Sequence, residues 1–223
     1  DVDDTVNFQV YGNMEPQKAA TEAVRETEGQ ILCQDGEAVE AYYFSTSAGV
    51  TSTDEIWGSD EAAPYLRSVP CKFDEEEPWS SWIVELPWKM LEDRIREKGE
   101  GTVLRSVTVT RRSESGAATA LEAVSDKDSC IIENEYEIRK FLAPVNCMIT
   151  EKDGTETAGG SLLPSAYFEL ERTQNGNLQV RGKGYGHGVG MSQTGADKMA
   201  EQGYDYREIL DYFFRNITVE NLG

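Results

Sequence analysis

The chain has 223 residues, enough for one large domain or one domain carrying an insertion, and Asp plus Glu outnumber Lys plus Arg by 41 to 21, for a formal net charge of -20. That balance excludes nucleic acid as a partner and disfavours teichoic or lipid phosphates, because neutralising phosphates takes clustered cations. Aromatic residues make up 9% and the acids are spread along the chain, as in a folded protein and not in a disordered acidic tail.

No apolar run reaches the roughly 20 residues that a membrane helix needs. The chain opens DVDDTVNF, with neither a Met nor a signal-peptide pattern, which leads us to expect that an upstream segment has been removed. Cys33, Cys71, Cys130 and Cys147 lie far apart with no C-x-x-C pair. Spacing alone cannot pair them, so free buried thiols and, in an exported protein, disulfides both stay open. A structural zinc site has poor support, and neither a metal nor any other cofactor is expected.

In chain order, EPQKAATEAVRETEG (Glu15 to Gly29) predicts a helix, with Pro16 early and Gly29 at its stop. QILCQDGEAVEAYYFS predicts a hairpin over Asp35-Gly36 whose second strand runs on into STSAGVTST. Past the acid-rich CKFDEEEPWSS come a helix in PWKMLEDRIREKGE, a hairpin around Glu114-Ser115-Gly116, and a short helix in NEYEIRKFL capped by Asn134. The last third carries hairpin turns at Asp153-Gly154 and Asn175-Gly176, a helix capped by Ser192 that stops at Gly203, another capped by Asp205, and a closing strand ITVEN. Strands and helices without regular βαβ alternation predict an α+β fold, with a mainly antiparallel sheet core and a few short helices. The expected organisation is a discontinuous core of residues 1–70 and 156–223 with an inserted subdomain at 71–155.

The stretch RGKGYGHGVGMSQTGA, Arg181 to Ala196, places the one histidine of the chain among alternating glycines. Read as an extended strand, it presents a bare face of Gly182, Gly184, Gly186, Gly188 and Gly190 and an opposite face carrying Lys183, Tyr185 and His187. Phosphate-binding patterns fail. No Gly-Lys is followed by Ser or Thr, and the sixth place of the dinucleotide fingerprint is never a small residue. Ser45, Ser47 and Ser192 could each partner His187 in a hydrolase triad, but there is no G-x-S-x-G elbow and no distinctive Asp. Tyr185 and His187 on a glycine strand beside a polar helix start suit a cleft better than a core.

Several stretches resemble the stage II sporulation protein D family, also known as the SpoIID/LytB domain. They are AVRETEGQILCQDGEAVEAYYFSTSAGVTSTDEIWG, PYLRSVPC, EYEIRKFL, LPSAYFEL and, most specifically, GKGYGHGVGMSQTGADKMAEQGYDYREILDYFF. The resemblance implies an extracytoplasmic, secreted or membrane-anchored protein that acts on peptidoglycan glycan strands in cell-wall remodelling or sporulation. Its activity would be that of a lytic transglycosylase, in which one carboxyl protonates the leaving oxygen and then helps the sugar's own 6-hydroxyl to close an anhydro ring. The alternative is a non-catalytic glycan-binding module that enhances a cell-wall amidase. On this resemblance Ser45, Ser47, Gly49, Thr51, Lys183, Tyr185, Gly186, His187 and Gln193 bind the glycan, and His187→Ala should weaken binding while leaving stability nearly unchanged.

The family's catalytic Glu sits in a helix with a pattern like EALKAQAVAARTYA that normally precedes VNFQVYG, so the acid is expected upstream of residue 1, or else this member lacks it. Glu15 has a similar local setting, but its continuation EAVRETEGQIL matches a later helix of the family, so it reads as a solvent-facing acid of a helix's first turn. The family's Gly-Gly pair is Ala48-Gly49 here, and VNFQVYG holds neither the Cys nor the His through which some sporulation members bind zinc.

Overall fold

The structure, a computed structural model, describes residues 15–59 and 61–222. The VNFQVYG segment lies outside the described residues. Two compact units are distinguished, one ending at Ala38 and resuming at Thr218, the other running from Val39 to Ile217.

In the smaller unit, α1 (Lys18–Glu26) starts three residues later than its sequence predicts, and Glu15 is exposed ahead of the helix rather than in its first turn. The hairpin of β1 (Gln30–Gln34) and β2 (Glu37–Ala38) turns at Asp35 and Gly36, whose φ angles of 52° and 83° are the pair of positive values a two-residue turn demands. β1 finds its longer partner on the other edge. There β13 (Thr218–Asn221) pairs with it antiparallel, from Gln30↔Asn221 to Cys33↔Thr218.

The larger unit begins with β3, only Tyr43–Phe44. β4 (Trp82–Leu86) buries Trp82, Val84 and Leu86 and leaves Ile83 and Glu85 exposed, the alternation of a strand with one face on a core. α2 (Trp88–Glu97) lays Leu91 and Ile95, four apart and so on one face, against that core. β5 (Leu104–Arg112), β6 (Ala118–Ser125) and β7 (Ser129–Glu133) form an antiparallel sheet, and α3 (Glu135–Phe141) comes next, with the Asn134 side chain accepting from the Glu137 N–H. β8 (Met148–Glu151), β9 (Glu156–Ala158), β10 (Phe168–Arg172) and β11 (Leu178–Gly182) complete a second sheet in the order β10-β11-β4-β8-β9. β12 (Met191–Ser192) pairs parallel with β3. α4 (Gln193–Glu201) is capped by Ser192, and α5 (Tyr206–Phe213) by a reciprocal box of Asp205 and Glu208.

Helices and mainly antiparallel sheets occur together without βαβ order, so the fold is α+β. Residues 71–155 contribute β4 and β8 to the sheet that also holds β10 and β11, with β4 and β11 paired from Trp82↔Gly182 to Leu86↔Leu178. One hydrophobic cluster joins Trp82, Val84 and Leu91 to Leu121, Ile138, Phe168 and Val180, so this stretch and the strands β10 and β11 bury their apolar faces together. All four cysteines are free thiols.

Candidate functional site

Beyond Gly182 the chain does not continue as a strand. Gly184, Gly186, Gly188 and Gly190 have φ of 75°, 113°, 84° and 80°, so the alternation in sequence marks a left-handed backbone at every second residue. The reading of one bare strand face is corrected accordingly, because L side chains resist this conformation by about 1–2 kcal/mol per residue. Close approach adds to the demand. A Cβ on Gly184 would lie 2.8 Å from the Thr46 carbonyl oxygen, and one on Gly190 would lie 2.1 Å from that of Tyr42. Gly190→Ala is therefore expected to cost about 2–3 kcal/mol in urea denaturation, and a loss under about 1 kcal/mol would mean that the segment bends away freely.

The neighbour that approaches is STSAGVT, which is likewise no regular strand. Thr46 and Tyr185 exchange backbone hydrogen bonds, 3.1 Å from the Thr46 N–H and 2.8 Å from the Tyr185 N–H, and the Ser52 N–H reaches the Gly188 carbonyl at 2.6 Å. Asp74, fully buried, pins the two segments from below. Its carboxyl accepts from the Ser47 N–H at 2.8 Å, the Ser47 hydroxyl at 2.7 Å and the Ser192 hydroxyl at 2.6 Å. Ser192 Oγ in turn accepts from the Gly195 N–H at the start of α4.

The residues expected to bind ligand are thus brought to one crossing, but they face different ways. Lys183, Tyr185 and Gln193 are exposed, and Gly49 lines an open cleft. Ser45 and His187 are half-buried, and Gly186 gives its N–H to the Pro164 carbonyl at 2.8 Å. The side chain of Thr51 is wholly buried, with Oγ1 accepting from the Val69 N–H at 3.0 Å, and Ser47 is spent on Asp74. These last two shape the wall from behind. No Ser-His-Asp relay forms among the described residues, since Ser47 and Ser192 both donate to Asp74 while His187 Nδ1 accepts from the Val189 N–H at 3.1 Å.

His187 is wedged between Phe44 and Trp57, at ring separations of 5.8 and 5.2 Å. Behind it stands a network that sequence reasoning missed. The Trp57 indole N–H donates to Glu135 at 3.1 Å, and Arg139 donates to the other oxygen of that carboxylate at 3.1 Å and to the carbonyls of Leu163 and Pro164. The i,i+4 spacing of Glu135 and Arg139 on a predicted helix was a visible signal for a pair; its burial was not.

Burial lowers the His187 pKa, with the Arg139 guanidinium adding to the effect and Glu135 and the Tyr43 backbone opposing it. A base whose pKa is depressed on folding binds fewer protons folded than unfolded. Stability should therefore fall as pH drops below the unfolded-state value near 6.5. Comparing urea midpoints of wild type and His187→Gln at pH 7.5 and about 5.5 checks this, with the variant losing less on acidification. The same packing reverses the sequence-based expectation for His187→Ala, which should now lower the melting temperature measurably.

Among the described residues two clefts border the crossing and a third lies beyond Arg112, and neighbouring ones share residues. One of about 370 Å³ lies between Ser47–Val50 and Lys152, and one of about 320 Å³ between Ala48, Tyr167 and Arg181; Ala48, Val50 and Lys183 border both. A third of about 740 Å³ lies between Trp57 and the β5–β6 hairpin, and it meets the second at Arg112. They form a run rather than one closed cavity. Arg112, Ser115, Tyr167 and Arg181 were missed because they reach the trough from β5, β10 and β11 or the loops beside them, with no local motif to mark them. Tyr167 lies under the trough wall, its hydroxyl 2.6 Å from that of Ser52 and 3.2 Å from that of Ser115.

Residues 71–190 match the family described as "Domain of unknown function (DUF8618)". The chain is 30% identical over 230 residues to a stage II sporulation protein D of Bacillus amyloliquefaciens, and 29% over 231 residues to that of Bacillus subtilis strain 168. It is 24% identical over 251 residues to a B. subtilis protein named "Amidase enhancer". Each match takes in 98% of the chain, which spans 59%, 59% and 35% of those relatives' lengths respectively. Among the described residues no helix is long and apolar enough to cross a membrane. With nearly the whole chain aligned to proteins of that name, and with the glycine-rich segment locked against STSAGVT, this protein belongs to the stage II sporulation protein D family.

Proposed function

We propose that the trough holds a glycan strand of peptidoglycan, outside the cytoplasm, and that the chain is the strand-holding part of a lytic transglycosylase in cell-wall remodelling of the kind sporulation requires. The observation that carries this reading is the run of clefts joined at Arg112 and at Ala48, Val50 and Lys183, a shape that suits an extended polymer. Lys183, Tyr185 and the Gly49 backbone are assigned to direct contact. Tyr185, exposed and set edge-on to Trp79 at 4.6 Å, offers a flat ring for a pyranose face.

In the proposed reaction a carboxylic acid protonates the bridging oxygen as the C1–O bond breaks, and the resulting carboxylate takes the 6-hydroxyl proton as O6 bonds to C1. No water is consumed, and the product ends in a 1,6-anhydro sugar. Among the described residues no carboxylate is both buried and open to the trough. Asp74 is enclosed, Glu135 is held by Arg139 and Trp57, and Glu133 and Glu169 are exposed side chains paired with Arg111 and Arg112. That observation, with the relative named for amidase enhancement, favours a second reading, a glycan-binding module that presents strands to a cell-wall amidase.

Incubation of purified glycan strands with the chain joined to an N-terminal helix of the EALKAQAVAARTYA pattern, followed by mass spectrometry of the ends, separates the two. Anhydro ends support the first reading, binding without cleavage the second, and ordinary reducing ends would show a hydrolase. Tyr185→Ala should weaken strand binding about tenfold without moving the melting temperature, by titration calorimetry and thermal denaturation.

A further inference from the structure

We propose that Lys183 and Arg181 form an anion subsite that takes one carboxylate of the bound glycan, an inference that rests on the glycan reading above. In a chain of net charge -20, a place with uncompensated positive charge calls for a reason. Lys183 borders both smaller clefts and Arg181 one of them, both are exposed, and neither side chain has an ion pair or hydrogen bond among the described residues.

The other cations there are occupied. Arg112 is bound to Glu169 at 3.0 Å and to the carbonyls of Phe168 and Gly116, and Lys152 is bound to Glu76 at 2.8 Å and to the Glu75 carbonyl. Arg181 stands opposite Glu169 across the β10–β11 pair, yet it is Arg112 that holds that carboxylate, and among the described residues no other acid lines that cleft.

The base of Lys183 is clamped. Its N–H bonds the Tyr167 carbonyl at 2.9 Å, and its carbonyl accepts from the Ser165 hydroxyl at 2.6 Å. Gly182 lies on the Trp82 ring, and the Trp82 indole donates to the Gly184 carbonyl at 2.8 Å. The amine is thus projected from a fixed point at the junction of two clefts, the preorganisation a specificity-determining contact needs. Two cations in a strongly negative field suit a single carboxylate, which a guanidinium meets with a planar fork and an ammonium with a point charge, and they do not suit a polyphosphate chain.

A carboxylate can come from the sugar itself or from a peptide attached to it. The test measures binding of the full chain, and of Lys183→Gln, Arg181→Gln and the double variant, to three probes: peptide-free peptidoglycan strands, strands with peptides attached, and the neutral β-1,4 N-acetylglucosamine hexamer. Wild type should prefer a carboxylated probe about tenfold over the hexamer at low salt, with the preference shrinking toward about 0.5 M salt. Each single variant should lose about three- to fivefold of that preference and the double variant nearly all of it, with a smaller loss of hexamer affinity. Preference for peptide-free strands assigns the sugar carboxylate, and preference for peptide-bearing strands assigns the peptide. Equal binding of all probes by wild type, or an equal loss on the hexamer in the variants, overturns the subsite alone. Failure of wild type to bind any probe overturns the glycan reading and the subsite with it.

Discussion

Glu135→Ala should lower the unfolding free energy by about 3–5 kcal/mol, the cost of leaving a buried guanidinium without its carboxylate. Arg139 would keep only the Leu163 and Pro164 carbonyls, and the Trp57 indole N–H would lose its acceptor. The pair is worth less than that figure in itself, because both charges were taken out of water to form it. A joint Glu135→Leu, Arg139→Met variant should accordingly recover much of the loss. If urea denaturation of the double variant shows the two losses simply adding, the pair is not a coupled unit. Because Pro164 also takes the Gly186 N–H and Trp57 packs on His187, Glu135→Ala should additionally broaden the His187 ring resonances in NMR before global unfolding.

Asp74→Ala should cost about 3 kcal/mol. Three N–H and O–H donors and, at 3.5 Å, the Cys71 thiol lose one acceptor group, and a buried donor left unsatisfied costs about 1–3 kcal/mol. The sum is discounted because the Ser47 and Ser192 hydroxyls have second, longer contacts with the carbonyls of Cys71 and Ser45, at 3.4 and 3.3 Å. Asp74→Asn keeps one acceptor and the volume, and should lose less than the alanine variant. The two should also differ on ligand, since Asp74 ties Ser47 to Ser192 across the crossing. Glycan affinity should fall for Asp74→Ala even at temperatures where it remains folded. Unchanged affinity in the folded variant would place the ligand elsewhere.

Both predictions place the stiffness of the candidate site beneath its surface. The crossing presents few side chains of its own to the trough, and what holds it comes from Asp74, Trp82 and the Trp57–Glu135–Arg139 group. A ligand that meets mostly backbone and a few fixed side chains is selected by shape first. On the proposed reading, charge selection is left to Lys183 and Arg181, which is why their loss should weaken binding of carboxylated strands more than that of neutral ones.

Much of this protein could be read from local chemistry. Asp35-Gly36 and Asn175-Gly176 made their turns, Asn134, Ser192 and Asp205 capped their helices, and the alternation in β11 put Leu178 and Val180 inside, because each of these outcomes depends on residues a few positions apart. The family likeness was legible for the same reason, being carried by contiguous segments. The glycine segment was found by its sequence but misread as a strand, since period two in glycine is the same string whether it serves an extended backbone or a left-handed one; only the approach of Thr46 and Tyr42 required the latter. Tertiary structure alone decided that Thr51 and Ser47 turn inward, that Asp74 pins the crossing, and that Arg112 reaches the trough while Lys183 and Arg181 stay unpaired among the described residues. Burial and pairing of a side chain depend on which distant segment packs against it, and no neighbour in the chain records that.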